Sequence, residues 1–115
     1  MNKKFLFSLI LFISFFSFLT FSIYNTKASE KSTVLFYGEG CPHCITVSEY
    51  IKENPNLEKE LEVIKKEIYN NKENKVLFKD AAKKCNIESY GVPLLFDGKN
   101  CYVGSFDIIE FFQTK

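Results

Sequence analysis

The chain has 115 residues with 15 basic and 14 acidic side chains, four cysteines and one histidine, and every basic residue is a lysine. This near-neutral balance argues against the basic face that nucleic acids require, so no nucleic-acid partner is expected. The length allows one modest hydrophobic core, which a covalent link would help to stabilise.

The N-terminal segment 1–28 differs in composition from the rest. Lys3 and Lys4 precede 19 uncharged residues, 5–23, which hold seven of the 13 phenylalanines. This pattern predicts an export signal that is either retained as a membrane anchor over residues 5–23 or cleaved near Ala28. The two lysines favour an inside N-terminus, with the remainder exported to a periplasm or cell surface.

The exported part is predicted to be one monomeric domain at 33–115 after a short tether at 29–32. It carries 12 lysines against 14 acids, a net charge of about −2. Its four cysteines are compatible with disulfide chemistry, because exported proteins fold in oxidising surroundings.

The first elements are a strand and a helix. "STVLFYG" (32–38) is β-branched and aromatic, which predicts a buried strand. "CPHCITVSEYIKEN" follows with Cys44, Val47, Tyr50 and Ile51 on one helical face. Pro42 suits the first turn of that helix, and "NPN" (54–56) is predicted to end it.

A second strand and helix follow. "LEVIKKEI" (61–68) is predicted to be a strand despite its charges. In "NKENKVLFKDAAKKC", helical phase groups Val76, Leu77, Asp80, Ala81 and Lys84, so a helix is predicted to run to about Cys85.

The chain is predicted to close with a hairpin and a helix. "GVPLLFDGKNCYVG" holds two short strands around an Asp97–Gly98 turn. "SFDIIEFFQTK" reads as a helix capped by Ser105, with Phe106, Ile109 and Phe112 facing inward.

The CPHC motif has several possible meanings: a redox-active dithiol, half of a metal site, an inert disulfide or two ordinary thiols. At a helix start, a Cys41 thiolate would face unpaired backbone N–H groups and the positive end of the helix dipole. His43 would add to that stabilisation, and Cys44 could resolve a mixed disulfide at Cys41. Zinc sites usually need four ligands in two close pairs, and the other cysteines are 16 residues apart.

The order of these features resembles the thioredoxin superfamily. It comprises a strand, CPHC at a helix start, a charged strand and helix, and "GVP" before a hairpin and final helix. The size and the ending are similar to those of glutaredoxins, and the Pro-His dipeptide is the one seen in DsbA-type oxidases. The resemblance covers 33–112. It implies an α/β thioredoxin-like fold, with a four-stranded mixed sheet (βαβα-ββα) flanked by three helices.

The resemblance also implies roles for individual residues. Cys41 would be the nucleophile and Cys44 the resolving thiol, with Pro42 and His43 tuning the pair. Pro93 would be a cis-proline facing the pair, with the Val92 backbone pairing to a bound substrate chain.

Some positions depart from the family pattern. Leu35 stands where thioredoxins and DsbA-type proteins carry a buried acid, which leaves proton transfer at Cys44 to water, Glu39 or another group. Gly40 replaces the tryptophan of thioredoxins. The basic residue and glycine pair of glutathione-binding glutaredoxins are absent from the sequence around Cys41 and Val103.

Cys85 and Cys101 leave several pairings open, since four cysteines permit three connectivities. A structural disulfide between them would close about 16 residues and stabilise the domain by roughly 3 kcal/mol. The alternatives are two buried free thiols, a second redox relay or a metal role.

We therefore expect an extracytoplasmic thiol–disulfide oxidoreductase that exchanges disulfides with protein thiols. No organic cofactor or metal is expected, and a membrane redox partner would reset the dithiol. The alternatives are a metal-binding or metal-delivery module using Cys41, Cys44 and His43, and a catalytically idle thioredoxin-like interaction domain.

Overall fold

The computed structural model describes residues 2–23, 32–88 and 91–115. The chain divides into two units, Met1–Glu30 and Lys31–Lys115. The first unit contains helix α1, Lys3–Ile23. No helix in the described part of the chain combines the length and the hydropathy needed to cross a membrane. The predicted cleavage near Ala28 and most of the predicted tether lie outside the described residues.

The second unit is a mixed α/β domain. Its elements, in chain order, are β1 Thr33–Tyr37, α2 Pro42–Glu53, α3 Pro55–Glu60, β2 Val63–Glu67, α4 Lys72–Lys84, β3 Leu94–Phe96, β4 Cys101–Val103 and α5 Gly104–Gln113.

The four strands form one mixed sheet in the order β2-β1-β3-β4. Strand β1 pairs parallel to β2 and antiparallel to β3, and β4 pairs antiparallel to β3. The predicted four-stranded sheet with its Asp97–Gly98 hairpin is therefore confirmed. Because β1 lies between β2 and β3, the CPHC motif that follows it lies near the middle of the sheet, at the C-terminal end of β1.

Alternating side chains of the sheet supply two cores. Leu35 and Leu95 face α2 and α5, whereas Phe36 and Leu94 face α4. The first core consists of Leu35, Val47, Ile51, Val63, Leu95, Ile108, Phe111 and Phe112. The second consists of Phe36, Ile68, Phe78, Ala81, Ala82 and Leu94. The sheet is thus covered by helices on both faces.

The NPN segment both ends one helix and begins another. Helix α2 ends at this segment as predicted, with Asn54 as its C-cap, and the Asn54 side-chain Nδ2 donates to the Tyr50 carbonyl at 2.9 Å. Pro55 then opens α3, a short helix that the sequence prediction missed. A proline cannot continue α2, because it has no backbone N–H to donate to the preceding turn. The N–H of a first helical residue is unpaired in any case, so Pro55 suits the start of α3. The second unit therefore has four helices among its described residues rather than the predicted three.

The buried face of α4 differs from the predicted one. Phe78, Ala81 and Ala82 face the sheet, whereas Val76 and Leu77 are exposed. Packing Phe78 edge-on against Phe36, with ring centroids 5.6 Å apart, fixes the rotation of the helix. The small alanines one turn later let the backbone of α4 approach the sheet closely.

Helix α5 also differs in its cap and its face. It begins at Gly104, whose φ of +85° turns the chain directly from β4 into the helix, and Val103 rather than Ser105 occupies the cap position. Ile108, Phe111 and Phe112 are buried, Ile109 is half-buried and Phe106 is exposed. The predictions of a Ser105 cap and an inward Phe106 are wrong, whereas the inward Phe112 is confirmed.

Two phenylalanines of α5 provide a matched test of this packing. We expect Phe112→Ala to lower the free energy of unfolding by about 3–5 kcal/mol, because it empties a fully packed core position. Phe106→Ala, at a side chain 77% exposed, is expected to change stability by no more than about 0.5 kcal/mol. Urea unfolding measures both variants. A larger loss for Phe106→Ala than for Phe112→Ala would contradict the observed orientation of α5.

Candidate functional site

Cys41 caps the N-terminus of α2 with its sulfur. Its backbone is extended, with φ −75° and ψ 119°, and Pro42 occupies the first helical position. The Cys44 N–H donates to Cys41 Sγ across 3.3 Å. Gly40, with φ +78°, makes the turn that brings the chain from β1 into the helix. The cap places the sulfur against an otherwise unpaired N–H at the positive end of the helix.

Cys41 and Cys44 are joined by a disulfide, with their Cα atoms 5.2 Å apart. Pro42 and His43 between them are exposed, whereas Cys44 is buried one turn inside α2. Cys41 keeps 9% of its surface accessible against 5% for Cys44. Both cysteines are therefore largely buried in the disulfide form, Cys41 slightly less so than Cys44.

The Val92–Pro93 segment lies opposite Cys41. The peptide bond between these residues is cis. The Val92 carbonyl oxygen is 3.8 Å from Cys41 Sγ, and the Pro93 carbonyl accepts from the Gly104 N–H at 2.9 Å. The start of α5 therefore holds the segment that faces the disulfide. Sequence patterns alone favoured a trans bond, and only the family resemblance pointed to this cis-proline.

His43 contacts the first turn of α5. Its Nδ1 lies 3.5 Å from Ser105 Oγ, a contact that joins residues 62 positions apart. Ser105, predicted as a helix cap, thus lies beside the CPHC dipeptide instead. The contact holds the Nδ1 side of the ring toward α5.

A carboxylate supports the loop that precedes Cys41. Glu67, at the end of β2, accepts hydrogen bonds from the backbone N–H groups of Tyr69 at 2.7 Å, Asn70 at 2.9 Å and Glu39 at 3.4 Å. Desolvation raises the pKa of Glu67, but these N–H donors outweigh it and lower the pKa from its ordinary value of 4.5. Glu67 therefore ties the β1–α2 loop to the β2–α4 loop.

The same two loops meet at Gly38 and Glu39. The Tyr69 ring packs directly over Gly38, where a Cβ atom would collide with it. The Asn70 side-chain Nδ2 donates to Glu39 Oε2 across 3.4 Å. Glu39, considered from the sequence as a proton acceptor for Cys44, is thus engaged with the neighbouring loop. The sequence analysis missed the role of Glu67, because no local pattern predicts its hydrogen bond with the Glu39 N–H, 28 residues away in the chain.

Leu35 is buried in the core shared by α2 and α5. The position where the resemblance led us to look for an acid is therefore filled by an aliphatic side chain packed against Val47 and Ile51. Exchange of a proton at Cys44 requires a route other than a carboxylate at this position.

Cys85 and Cys101 form a second disulfide, with Cα atoms 6.0 Å apart. It joins the end of α4 to β4. Strand register places Cys101 opposite Phe96, which pairs with Val34 near the start of β1. Cys41 follows the other end of β1, so the two disulfides lie at opposite ends of the sheet.

The described residues contain no group of three or more His, Cys, Asp or Glu side chains placed to hold a metal ion. Comparison with known proteins adds no assignment: no protein-family model matches the chain, and no curated protein matches it either. The chemistry of the site therefore has to be argued from its own geometry.

The Glu67 interactions predict a pH-dependent contribution to stability. Because its pKa is lower in the folded chain, the stabilisation is fully present above pH 4.5 and is lost as the pH falls through the lowered folded pKa. We expect Glu67→Gln, which places an amide among N–H donors, to unfold at lower urea concentration than the parent at pH 7. The difference should shrink steadily as the pH falls below 4.5.

Glu60→Gln, at an exposed position of α3, is the matched control for removing one negative charge. It should leave the urea midpoint nearly unchanged at both pH values. An equal midpoint shift in the two variants, or a Glu67→Gln shift that persists in acid, would contradict the role assigned to Glu67.

Proposed function

We propose that the exported domain is a thiol–disulfide oxidoreductase that exchanges disulfides with protein thiols. The observation that carries this proposal is the Cys41–Cys44 disulfide at the start of α2, facing the Val92 carbonyl across 3.8 Å. An inert structural disulfide needs no helix N–H directed at its N-terminal sulfur. Such an N–H favours the thiolate, which is the form of Cys41 that a redox-active pair uses.

The arrangement supports a two-step exchange. A substrate thiolate attacks Cys41 Sγ, the Cys41–Cys44 bond breaks, and Cys44 leaves as a thiolate that takes up a proton. A second substrate thiolate then attacks the substrate sulfur of the mixed disulfide and releases Cys41 as a thiolate. The substrate loses two electrons and the CPHC pair gains them. The reverse sequence, with Cys44 resolving the mixed disulfide, reduces a substrate disulfide.

Two backbone groups act on the Cys41 sulfur in opposite senses. The Cys44 N–H at 3.3 Å favours the thiolate, whereas the Val92 carbonyl at 3.8 Å favours the protonated thiol. The N–H is closer and is reinforced by the helix dipole, so we expect the thiolate to be favoured overall. A stabilised thiolate makes the disulfide form the better oxidant, and His43 at the same helix start adds to this.

The fold-level part of the proposal is a thioredoxin-like domain of glutaredoxin size. It is supported by the central β1 leading into CPHC, the mixed sheet order β2-β1-β3-β4, and the cis Val92–Pro93 bond before β3. In this reading the Val92 backbone would pair with the substrate chain beside Cys41.

The proposed location is extracytoplasmic, reached through the predicted export segment at 1–28. Two disulfides in one small domain are compatible with an oxidising compartment. A membrane redox partner would return the CPHC pair to its starting oxidation state after each exchange.

Trapping of mixed disulfides tests the exchange reaction. Cys44→Ser removes the resolving thiol, so in the native host the full chain should accumulate protein partners linked to Cys41. These partners are recovered after acid quenching and identified by mass spectrometry. Cys41→Ser/Cys44→Ser is the matched control and should retain none of them. A Cys44→Ser chain with no Cys41-linked partner would overturn the enzymatic proposal and favour the idle interaction domain.

The contribution of His43 is tested by equilibrium with a glutathione redox buffer. We expect His43→Ala to shift the CPHC pair toward its disulfide form by about threefold to tenfold, where tenfold corresponds to about 30 mV. Thr46→Val, which removes a hydroxyl bonded to the Pro42 carbonyl in the same helix, serves as the control and should shift it less than twofold. An unchanged equilibrium in His43→Ala would contradict the contribution assigned to His43 and leave only the Cys44 N–H and the helix dipole to favour the oxidising direction.

A further inference from the structure

The Cys85–Cys101 disulfide lies in an open cleft. Both residues are half-buried, and they line a cavity of about 310 Å³ between the end of α4 and the β3–β4 hairpin. A structural disulfide sealed in the core would offer no approach to its sulfurs. This one has solvent-filled space beside it large enough for a small molecule.

The cleft is positively charged. Lys84 and Lys99 line it together with the neutral residues Asn86, Ile87 and Asn100, and no acidic side chain does so among the described residues. The C-terminal end of α4 contributes only about half a negative charge, which is less than the two lysines supply. The cleft therefore favours an anion over a cation.

Two acids that neighbour the cleft in the sequence, Asp97 and Glu88, are not among its lining residues. Asp97 Oδ1 accepts from the Lys99 and Asn100 backbone N–H groups at 2.9 and 2.6 Å, so that carboxylate is directed at the hairpin backbone. Glu88 is exposed and is not among the lining residues. Lys84 Nζ lies 5.8 Å from the centroid of the Phe96 ring, a contact that does not neutralise its charge. The two lysine charges thus exceed the single negative charge of Asp97.

The second disulfide is independent of the CPHC pair. Cys101 pairs with Phe96, which pairs with Val34 near the start of β1, whereas Cys41 follows the end of β1. Direct exchange between the two disulfides of one molecule would have to cross the length of the sheet. Any reaction at Cys85–Cys101 therefore needs its own thiol, delivered through the cleft.

We propose that Cys85–Cys101 is a second redox site that reacts with small anionic thiols. The thiolate of one such molecule attacks a sulfur of the disulfide, and the other cysteine leaves as a thiolate and takes up a proton. The thiolate of a second such molecule attacks the small-molecule sulfur of the mixed disulfide and releases the remaining cysteine as a thiolate, which takes up a proton. Two small thiols are oxidised to one small disulfide, and the Cys85–Cys101 bond is reduced to two thiols.

Reduction of Cys85–Cys101 would create a thiol with a hydrogen-bond acceptor nearby and would remove a link between two elements of the fold. Cys101 Sγ lies 3.6 Å from the Ala81 carbonyl oxygen, which can accept a hydrogen bond from the Cys101 thiol once it forms. Opening the bond releases the end of α4 from the edge strand β4. The stability of the domain would then follow the small-thiol redox state of its compartment.

The test compares three small thiols of different charge on the full-length protein. They are mercaptoethanesulfonate, an anion, 2-mercaptoethanol, which is neutral, and cysteamine, a cation. Opening of Cys85–Cys101 is followed by alkylation and peptide mass mapping, which distinguishes it from opening of the CPHC pair. Each rate is divided by the rate of the same thiol on a small neutral reference disulfide, to remove differences in intrinsic reactivity.

We expect the normalised rate for the anion to exceed that for the cation roughly tenfold at low salt, with the neutral thiol between them. The preference should fall below about twofold in Lys84→Gln/Lys99→Gln and in high salt. Lys72→Gln/Lys75→Gln, which removes the same charge from the far end of α4, is the matched control and should retain the preference.

Equal normalised rates for the three thiols would overturn the proposal, as would a preference that survives Lys84→Gln/Lys99→Gln. So would a disulfide that stays closed while the reference disulfide is reduced. The same mapping in Cys41→Ser/Cys44→Ser should give unchanged rates at Cys85. The outcome is therefore separate from the proposed function of the CPHC pair.

Discussion

The hydrogen bond from the Cys44 N–H to Cys41 Sγ is the interaction on which the candidate site depends. Helix α2 has a sulfur atom as its cap, so the fold itself sets the electrostatic surroundings of that sulfur. Reaching this geometry requires β1 at the centre of the sheet, a left-handed glycine at Gly40 and a loop steadied by Glu67. The buried face of α2 then holds the helix start in place against the first core.

Local signals in the sequence predicted the parts that depend on local chemistry. The β-branched strand before CPHC, the proline at the first helical position and the Asp97–Gly98 turn each determine their conformation within a few residues, and the structure agrees with them. These elements suffice to place Cys41 at a helix start. The Val92–Pro93 isomer was accessible only through the family resemblance, because proline alone permits either isomer and usually favours trans.

Predictions failed where distant packing decides between local options. The contact between Phe78 and Phe36 determines which face of α4 is buried. Val76 and Leu77 are equally apolar but lie on the exposed face. Ser105 has the chemistry of a cap, yet the left-handed Gly104 begins the helix earlier and leaves Ser105 beside His43. Glu67 looks like a surface charge in the sequence, since its partners come from another loop. The errors over α4 and Glu67 concern contacts between residues far apart in the chain, whereas the Ser105 error comes from the local turn at Gly104.

The central claim is that the fold stabilises a thiolate at Cys41. Its most direct test is an ultraviolet absorbance titration of the Cys41 thiolate in the full-length Cys44→Ser variant, in which Cys41 is a free thiol while Cys85–Cys101 stays oxidised. The account predicts that the thiolate signal persists well below the pH at which an ordinary cysteine, with a pKa of about 8.5, is protonated. A Cys41 pKa at or above that ordinary value would contradict it.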